Sequence, residues 1–142
     1  MNEQFAGALA AEEAAIYAYG LIGVKLSAAA EITEARGAEQ AHRERRDWLI
    51  SKIAELKSSA GPAPAGYTLP FPVSDRESAL ELAIRIEDGV AQGWRPVLGV
   101  TQDADRATGL SALTDAAIRA CRWRRIADVT PLTMAFPGKT IT

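Results

Sequence analysis

The stretch "SSAGPAPAGYTLPFPVSD", residues 58–75, decides how this chain folds. It contains four prolines and two glycines, so a helix cannot run through it. On both sides of it, apolar and small side chains recur in steps of three and four residues, which is typical of amphipathic helices. A loop of this length is long for a compact domain. We therefore expect it to cross the whole length of the molecule.

Two helical segments precede this crossover and two follow it. The apolar spacing predicts helices over about 2–27, 31–58, 75–99 and 103–127, followed by an irregular, apolar C-terminal tail over 128–142. The sequence therefore predicts an all-α, four-helix bundle with a long crossover between helices 2 and 3. One such crossover is the ferritin-like topology. A simple up-down bundle and an intertwined helical dimer are the alternatives.

Local signals refine two of these helices. Ser74 and Glu77 have the spacing of a capping box at the start of the third helix. Pro96 is expected to kink or end that helix near Gly93–Val97. The inward residues predicted for the fourth helix are Leu110, Leu113, Ala117, Ile118 and Cys121.

The composition fits one compact helical domain over residues 1–142. Alanine occupies 28 of the 142 positions, and aromatic residues make up only 6%. Abundant alanine with few β-branched runs favours closely packed helices over sheet. The net charge of −2, with acidic and basic residues interleaved, gives no electrostatic footprint for nucleic acid.

The chain also lacks several targeting and redox signals. Cys121 is the single cysteine, which excludes an internal disulfide and a CxxC motif. The N-terminal stretch "MNEQFAGALAAEEAA" has no basic region followed by a long apolar run, so it is not a secretory signal. The apolar stretches fall short of the ~20 residues of a membrane span. We expect a cytoplasmic protein with no membrane partner.

Ionisable side chains interrupt the inward stripes of three helices. In "GAEQAHRERRDWL", residues 37–49, Glu39, His42 and Arg46 share a stripe with apolar residues. Glu12 and Glu87 occupy mid-helix positions of the first and third stripes. Because residues three apart share a helix face, Glu39 and His42 form a Glu-x-x-His pair. Di-iron carboxylate bundles use two such pairs and two further glutamates.

The first interpretation of these residues is a metal site made of Glu12, Glu39, His42 and Glu87. Carboxylates with an imidazole suit iron, manganese or zinc. The fourth helix has no glutamate or histidine, however, and the chain has only one histidine. A second Glu-x-x-His pair is therefore impossible, and a bridged two-metal centre is not expected.

The second interpretation is a buried polar network without a metal. Its members would be Glu12, Glu39, His42, Arg46 and Glu87. A fixed cation at Arg46 would oppose a metal ion and satisfy carboxylates instead, and buried charges are tolerated when they are paired. We favour this interpretation. In the third interpretation, the inward stripe is misassigned by one position, and these ionisable side chains lie in water.

The turn between the first two helices decides which residues meet. In an antiparallel pair of helices, the sequence numbers of any two facing residues add up to the same value. A turn centred near Ser27 makes Glu12 face His42, whereas a turn centred near Ala29 makes Glu12 face Arg46. The sequence leaves both registers open.

Most of the chain resembles an actinobacterial family of alanine-rich, ferritin-like domains of unknown function. The stretches that carry this resemblance are "LAAEEAAIYAYG" (9–20), "AHRERRDWL" (41–49), "YTLPFPVSD" (67–75), "IRIEDGVAQGWR" (84–95) and "LTDAAIRACRWR" (113–124). The resemblance implies a ferritin-like fold with a degenerate metal site, and it implies no activity.

Three functions follow from these observations. The leading hypothesis is a non-enzymatic structural or interaction module without a cofactor, forming a homodimer through the apolar tail "LTMAFPGKTIT" and its small residues. The second is a metal-binding protein or oxidoreductase with a single-metal carboxylate and histidine site. The third, and least expected, is a nucleic-acid accessory protein that uses the basic stretch Arg119–Arg125.

Overall fold

A computed structural model describes residues 1–140 and confirms an all-helical, four-helix architecture. Helix α1 spans Asn2–Ile22 and is followed by a 3-10 turn at Gly23–Lys25. Helices α2 (Ala29–Glu55), α3 (Arg76–Val100) and α4 (Asp103–Ala127) complete the bundle. The described residues contain no strand, and the segment between α2 and α3 contains no helix, as its prolines predict.

The order of the helices around the bundle follows from their contacts. Helix α1 packs against α2 and α3, and α3 packs against α4. The fourth side, between α2 and α4, is bridged by ion pairs from Arg45 to Asp115 and from Lys52 to Asp105. Helices α2 and α3 lie across a diagonal and run parallel, because the 58–75 crossover returns the chain to the end where α2 began.

Two apolar clusters fill the two halves of the core. One cluster packs around Phe5, Leu49 and Trp94. The other packs around Ile22, Leu80 and Trp123. Full burial of one large apolar side chain contributes about 1.5–3 kcal/mol, so these clusters supply most of the driving force. Along α2 and α3, a buried polar residue separates the two clusters: His42 in α2 and Glu87 in α3. Together with the buried Glu12 of α1, they form the site described below.

The start of α3 differs from the predicted cap by one residue. Asp75, not Ser74, is the N-cap: its carboxylate accepts a hydrogen bond from the backbone N–H of Ser78 at 2.9 Å. The Ser78 hydroxyl in turn accepts one from the Asp75 N–H. Helix α3 also continues through Pro96 to Val100, so this proline does not end the helix.

The inward face of α4 is rotated from the predicted one. Leu110 and Ile118 were predicted to point inward, but 53% and 45% of their surfaces are exposed. The buried residues are Gly109, Ala112, Leu113, Ala116, Ala120 and Trp123. Burial of the Trp123 ring and the close fit of the small residues against α3 outweigh burial of the two aliphatic side chains. Helix α4 therefore carries a second apolar face that points away from the core.

The tail folds back onto the bundle. A guanidinium N–H of Arg95 donates to the Pro137 carbonyl at 3.1 Å. Gly138 has a φ of 81° and lies so close to α3 that a Cβ there would be 2.6 Å from the Ala91 carbonyl oxygen. Only glycine fits this position. Residues 141 and 142 of the predicted tail lie outside the described residues.

The segment Asn2–Lys25 is long and apolar enough to cross a membrane by length and composition, with a mean hydropathy of 1.2. No apolar stretch of this length was expected from the sequence. Of its most apolar 18 residues, 44% are buried inside the bundle. Core helices and N-terminal signals meet the same criterion, so the segment is weak evidence for a span.

Candidate functional site

The imidazole of His42 lies at the centre of the polar layer. Helix α2 aims it into the core between Ala38 and Leu49, and 0% of its surface is exposed. Its Nδ1 lies 2.5 Å from Oε2 of Glu12, and its Nε2 lies 2.7 Å from Oε1 of Glu87. Glu12 therefore faces His42 and not Arg46. A protonated imidazole donates through both nitrogens, so this geometry suits the charged ring.

Two aromatic side chains donate further hydrogen bonds to the carboxylates. The indole N–H of Trp94 donates to Oε1 of Glu12 at 2.6 Å, and the hydroxyl of Tyr19 donates to Oε1 of Glu87 at the same distance. Each aromatic residue follows a carboxylate of its own helix by seven positions. Because α1 and α3 are antiparallel, each donates across to the carboxylate of the other helix. The two hydrogen bonds therefore require the same register of α1 against α3.

Helix α4 contributes two further donors. Nε of Arg119 donates to Oε1 of Glu87 at 3.2 Å. The indole N–H of Trp123 donates to the Tyr19 hydroxyl at 2.8 Å. The second oxygen of Glu87, Oε2, is buried and has no hydrogen-bond partner among the described residues. All four helices thus contribute to one polar network.

The charges of the network compensate one another. Burial alone would lower the pKa of His42, but the hydrogen bonds and charges of Glu12 and Glu87 outweigh it and raise that pKa to about 9. Burial and the adjacent Glu87 carboxylate raise the pKa of Tyr19 well above its usual value, so its hydroxyl stays protonated. The His42 ring therefore lies between two carboxyl groups as a cation, and the Arg119 guanidinium contacts one of them.

The structure brings together three of the five residues predicted for the network: Glu12, His42 and Glu87. The prediction for Glu39 and Arg46 must be corrected. Glu39 accepts a hydrogen bond from Arg43, Arg46 donates to Asp47, and each of the two side chains is 29% exposed. Both lie at the edge of the buried stripe of α2, where a long side chain reaches water, and hydration of a charge favours that orientation.

The network predicted from the sequence did not include Tyr19, Trp94, Trp123 or Arg119. A signal for two of them exists, since Tyr19 and Trp94 follow Glu12 and Glu87 at a spacing of two helical turns on the same face. Arg119 could not be found in this way, because the predicted inward face of α4 was rotated away from it.

A bridged two-metal centre does not fit these residues. Glu12 and Glu87 contact opposite edges of the imidazole, so one ion cannot bind both carboxylates and a ring nitrogen in this arrangement. Within residues 1–140, no three His, Cys, Asp or Glu side chains are grouped to hold a metal ion. Arg119 also directs a fixed positive charge at Glu87.

The basic stretch of α4 is largely engaged within the chain. Arg122 contacts Glu34 at 3.4 Å, and Arg124 forms two hydrogen bonds with the Asp88 carboxylate. Together with the Arg119 contact, these pairs use three of the four arginines between 119 and 125.

Fold and site together define a class: a helical bundle whose core is crossed by a polar layer built from all four helices. Residues 5–141 match the family described as "Domain of unknown function (DUF4439)", and the chain belongs to that family. It is similar to a conserved hypothetical protein, rv2844, from Mycobacterium tuberculosis, whose crystal structure superposes with a TM-score of 0.82. The two are 38% identical over 88% of this chain and 95% of the other. The search of curated proteins found no match.

Proposed function

We propose that this protein is a ferritin-like, non-enzymatic structural or interaction module of the cytoplasm, in which a polar network occupies the position of a metal centre. The observation that carries the proposal is the position of His42. Both ring nitrogens are engaged by carboxylates from two other helices, at 2.5 and 2.7 Å. A ring that uses both nitrogens in this way has no lone pair free for a metal ion.

The ferritin-like assignment is supported by the connectivity. One long crossover joins two parallel helices across the bundle diagonal, and short connections join the antiparallel pairs, which is the ferritin-like arrangement. The ionisable side chains also lie at mid-height inside the bundle, where proteins of this architecture carry their metal ligands.

The network can define the packing register of the bundle. The Tyr19–Glu87 and Trp94–Glu12 hydrogen bonds form only in one register of α1 against α3. His42 extends the same constraint to α2. Buried polar groups are known to specify register in helical assemblies, although a hydrophobic replacement can be as stable. We infer that the network selects one packing among several that an alanine-rich core would permit.

The experiment combines metal analysis with unfolding of two variants. His42→Ala leaves two buried carboxylates without their shared cation, so its free energy of unfolding falls by about 3–5 kcal/mol. Arg46→Ala, the matched control on the same helix, changes it by less than about 1 kcal/mol, because its ion pair is exposed. Elemental analysis of the purified protein finds no stoichiometric metal. Bound iron, manganese or zinc that is lost in His42→Ala would refute the proposal.

One observation favours a second candidate, a single-metal protein. The buried Oε2 of Glu87 lacks a partner and lies on the residue that also contacts His42. A metal ion bound to Glu87 and His42, with Glu12 outside the first coordination sphere, would satisfy it and displace the imidazole proton. Titration of the protein with Zn²⁺, Mn²⁺ and Fe²⁺ tests this candidate, and a Glu87→Gln variant that retains the affinity would exclude it.

A further inference from the structure

A groove of about 530 Å³ lies between α3, α4 and the C-terminal tail. Its wall on α4 runs from Leu113 to Arg125, which is about 18 Å at 1.5 Å per residue. Ala91 of α3 forms its base, and Leu132 and Met134 of the tail form its other side. The volume lies within the range of small-molecule pockets, about 300–1,000 Å³.

The groove uses the outward apolar face of α4. Ala117, Ile118 and Cys121 line it, although the sequence pattern predicted that they point into the core. They do not belong to the two apolar clusters that fill the bundle. This face is thus an apolar surface that the core of the chain does not use, and the tail shapes it into a concave site.

The charge of the groove is concentrated at one end. Three arginines of the last turns of α4 line it, opposite a single carboxylate, Asp88. Arg124 is paired with Asp88, and Arg122 is paired with Glu34. Arg125 is exposed and forms no ion pair within residues 1–140. An apolar trough that ends at an unpaired guanidinium is complementary to an amphiphile with an anionic head group.

We propose that this groove binds a free, single-chain anionic amphiphile of the fatty-acid class. The alkyl chain lies along Leu113, Ala117 and Ile118. The carboxylate lies at Arg125, since a guanidinium forms strong, paired hydrogen bonds with a carboxylate. The site shares no residue with the polar network, so this inference is independent of the proposed function.

The single cysteine provides a direct test of occupancy. Cys121 is partly exposed and lines the groove, so its alkylation by iodoacetamide, followed by mass spectrometry, reports whether the groove is filled. Dodecanoate is used below its critical micelle concentration. At a concentration about ten times its Kd for the groove, it slows alkylation of Cys121 about tenfold. Dodecylamine at the same concentration has little effect. Unfolding of the protein by dodecanoate would accelerate alkylation, so it cannot imitate protection.

Three variants locate the binding site. Ala117→Phe fills the groove and abolishes protection by dodecanoate. Ala107→Phe makes the same change at an exposed position of α4 outside the groove and leaves protection intact. Arg125→Gln weakens the binding of dodecanoate about tenfold, which is the effect of one charge-assisted hydrogen bond. The binding of dodecanol, which has no charge, stays unchanged.

Several outcomes would overturn the proposal. The first is the absence of protection by dodecanoate, and the second is equal protection in the two alanine variants. The third is equal protection by vesicles of phosphatidylglycerol, which would assign the groove to a membrane surface. The fourth is alkylation that slows as protein concentration rises without amphiphile, which would assign it to a second copy of the chain.

Discussion

The imidazole of His42 is the only side chain in the described part of the chain that hydrogen-bonds to both buried carboxylates. His42 could be predicted as a member of the site from its sequence position, because a histidine on an inward stripe needs a hydrogen-bond partner. Its partners could not be chosen from sequence, because the register of α1 against α2 depends on where the connecting turn begins. The 3-10 turn that extends α1 ends at Lys25 and α2 begins at Ala29, so the connection is centred near Ser27 and Glu12 lies opposite His42.

The tyrosine that links α4 to the network provides a test at this scale. Tyr19→Phe removes the acceptor of the Trp123 N–H and a donor to Glu87, and leaves both of these buried groups short of a partner. We expect the free energy of unfolding to fall by about 1–3 kcal/mol. Tyr17→Phe is the control, because the Tyr17 hydroxyl forms no hydrogen bond with the residues described. Equal losses in the two variants in urea unfolding would contradict the network.

The stability of the protein depends on pH through His42. Its folded-state pKa, about 9, exceeds the unfolded value of 6.5, so the folded state holds the proton more tightly. The resulting stabilisation is fully present below pH 6.5, diminishes above it and is lost as the pH rises through about 9. The shift corresponds to about 3 kcal/mol. Urea unfolding between pH 6 and 10 measures it, and a His42→Gln variant with the same pH dependence would contradict this assignment.

At the scale of the helices, periodicity predicted which segments are helical but not every buried face. A seven-residue spacing drifts by about 20° per repeat against a straight α-helix. Glu39 and Arg46 therefore move to the edge of the α2 stripe. Helix α4 has two apolar faces, one containing Trp123 and one containing Ile118. The sequence of α4 alone does not determine which of them packs against α3. Tertiary packing makes that choice.

The contact between α1 and α3 is also decided by packing. A Cβ at Gly93 would lie 2.8 Å from the Cβ of Ala11, so the two helices approach more closely there than any other residue allows. From the sequence, Gly93 was expected only to lie in the region where Pro96 would kink or end the helix.

Substitution at this contact should be costly. Gly93→Ala forces α1 and α3 apart, and we expect a loss of about 1–3 kcal/mol that exceeds the gain in helix propensity. Gly89→Ala on the same helix meets no atom within 4 Å and should gain about 0.5–1 kcal/mol. Thermal unfolding of both variants compares the two positions. A gain of stability in Gly93→Ala would show that the helices are not in close contact there.

At the scale of the whole molecule, the crossover at 58–75 determines the topology and could be recognised from its prolines. The number of helices and the all-α class followed from the same pattern, and the structure confirms them. The path of the tail could not be predicted, because it depends on Gly138 against α3 and on the outward face of α4. The groove described above results from these two features together.

The homodimer expected from the apolar tail stays a prediction. Val24 and Phe136 are large exposed apolar side chains of the described surface. A stable dimer buries more than about 1,000 Å² in total. Sedimentation at tens of micromolar should give about twice the chain mass of 15.2 kDa. A mass of one chain over that range would remove the dimer without affecting the network.

The protonation state of His42 shows whether the buried network is a set of compensating charges or a metal site. The chain contains one histidine, so ¹⁵N-histidine labelling gives the NMR signals of this ring alone. We expect an imidazolium with protons on both nitrogens at pH 7.5, a titration midpoint near 9, and no change when a chelator is added. A neutral ring with a midpoint near 6.5, or a nitrogen that gains its proton only after metal is removed, would contradict it.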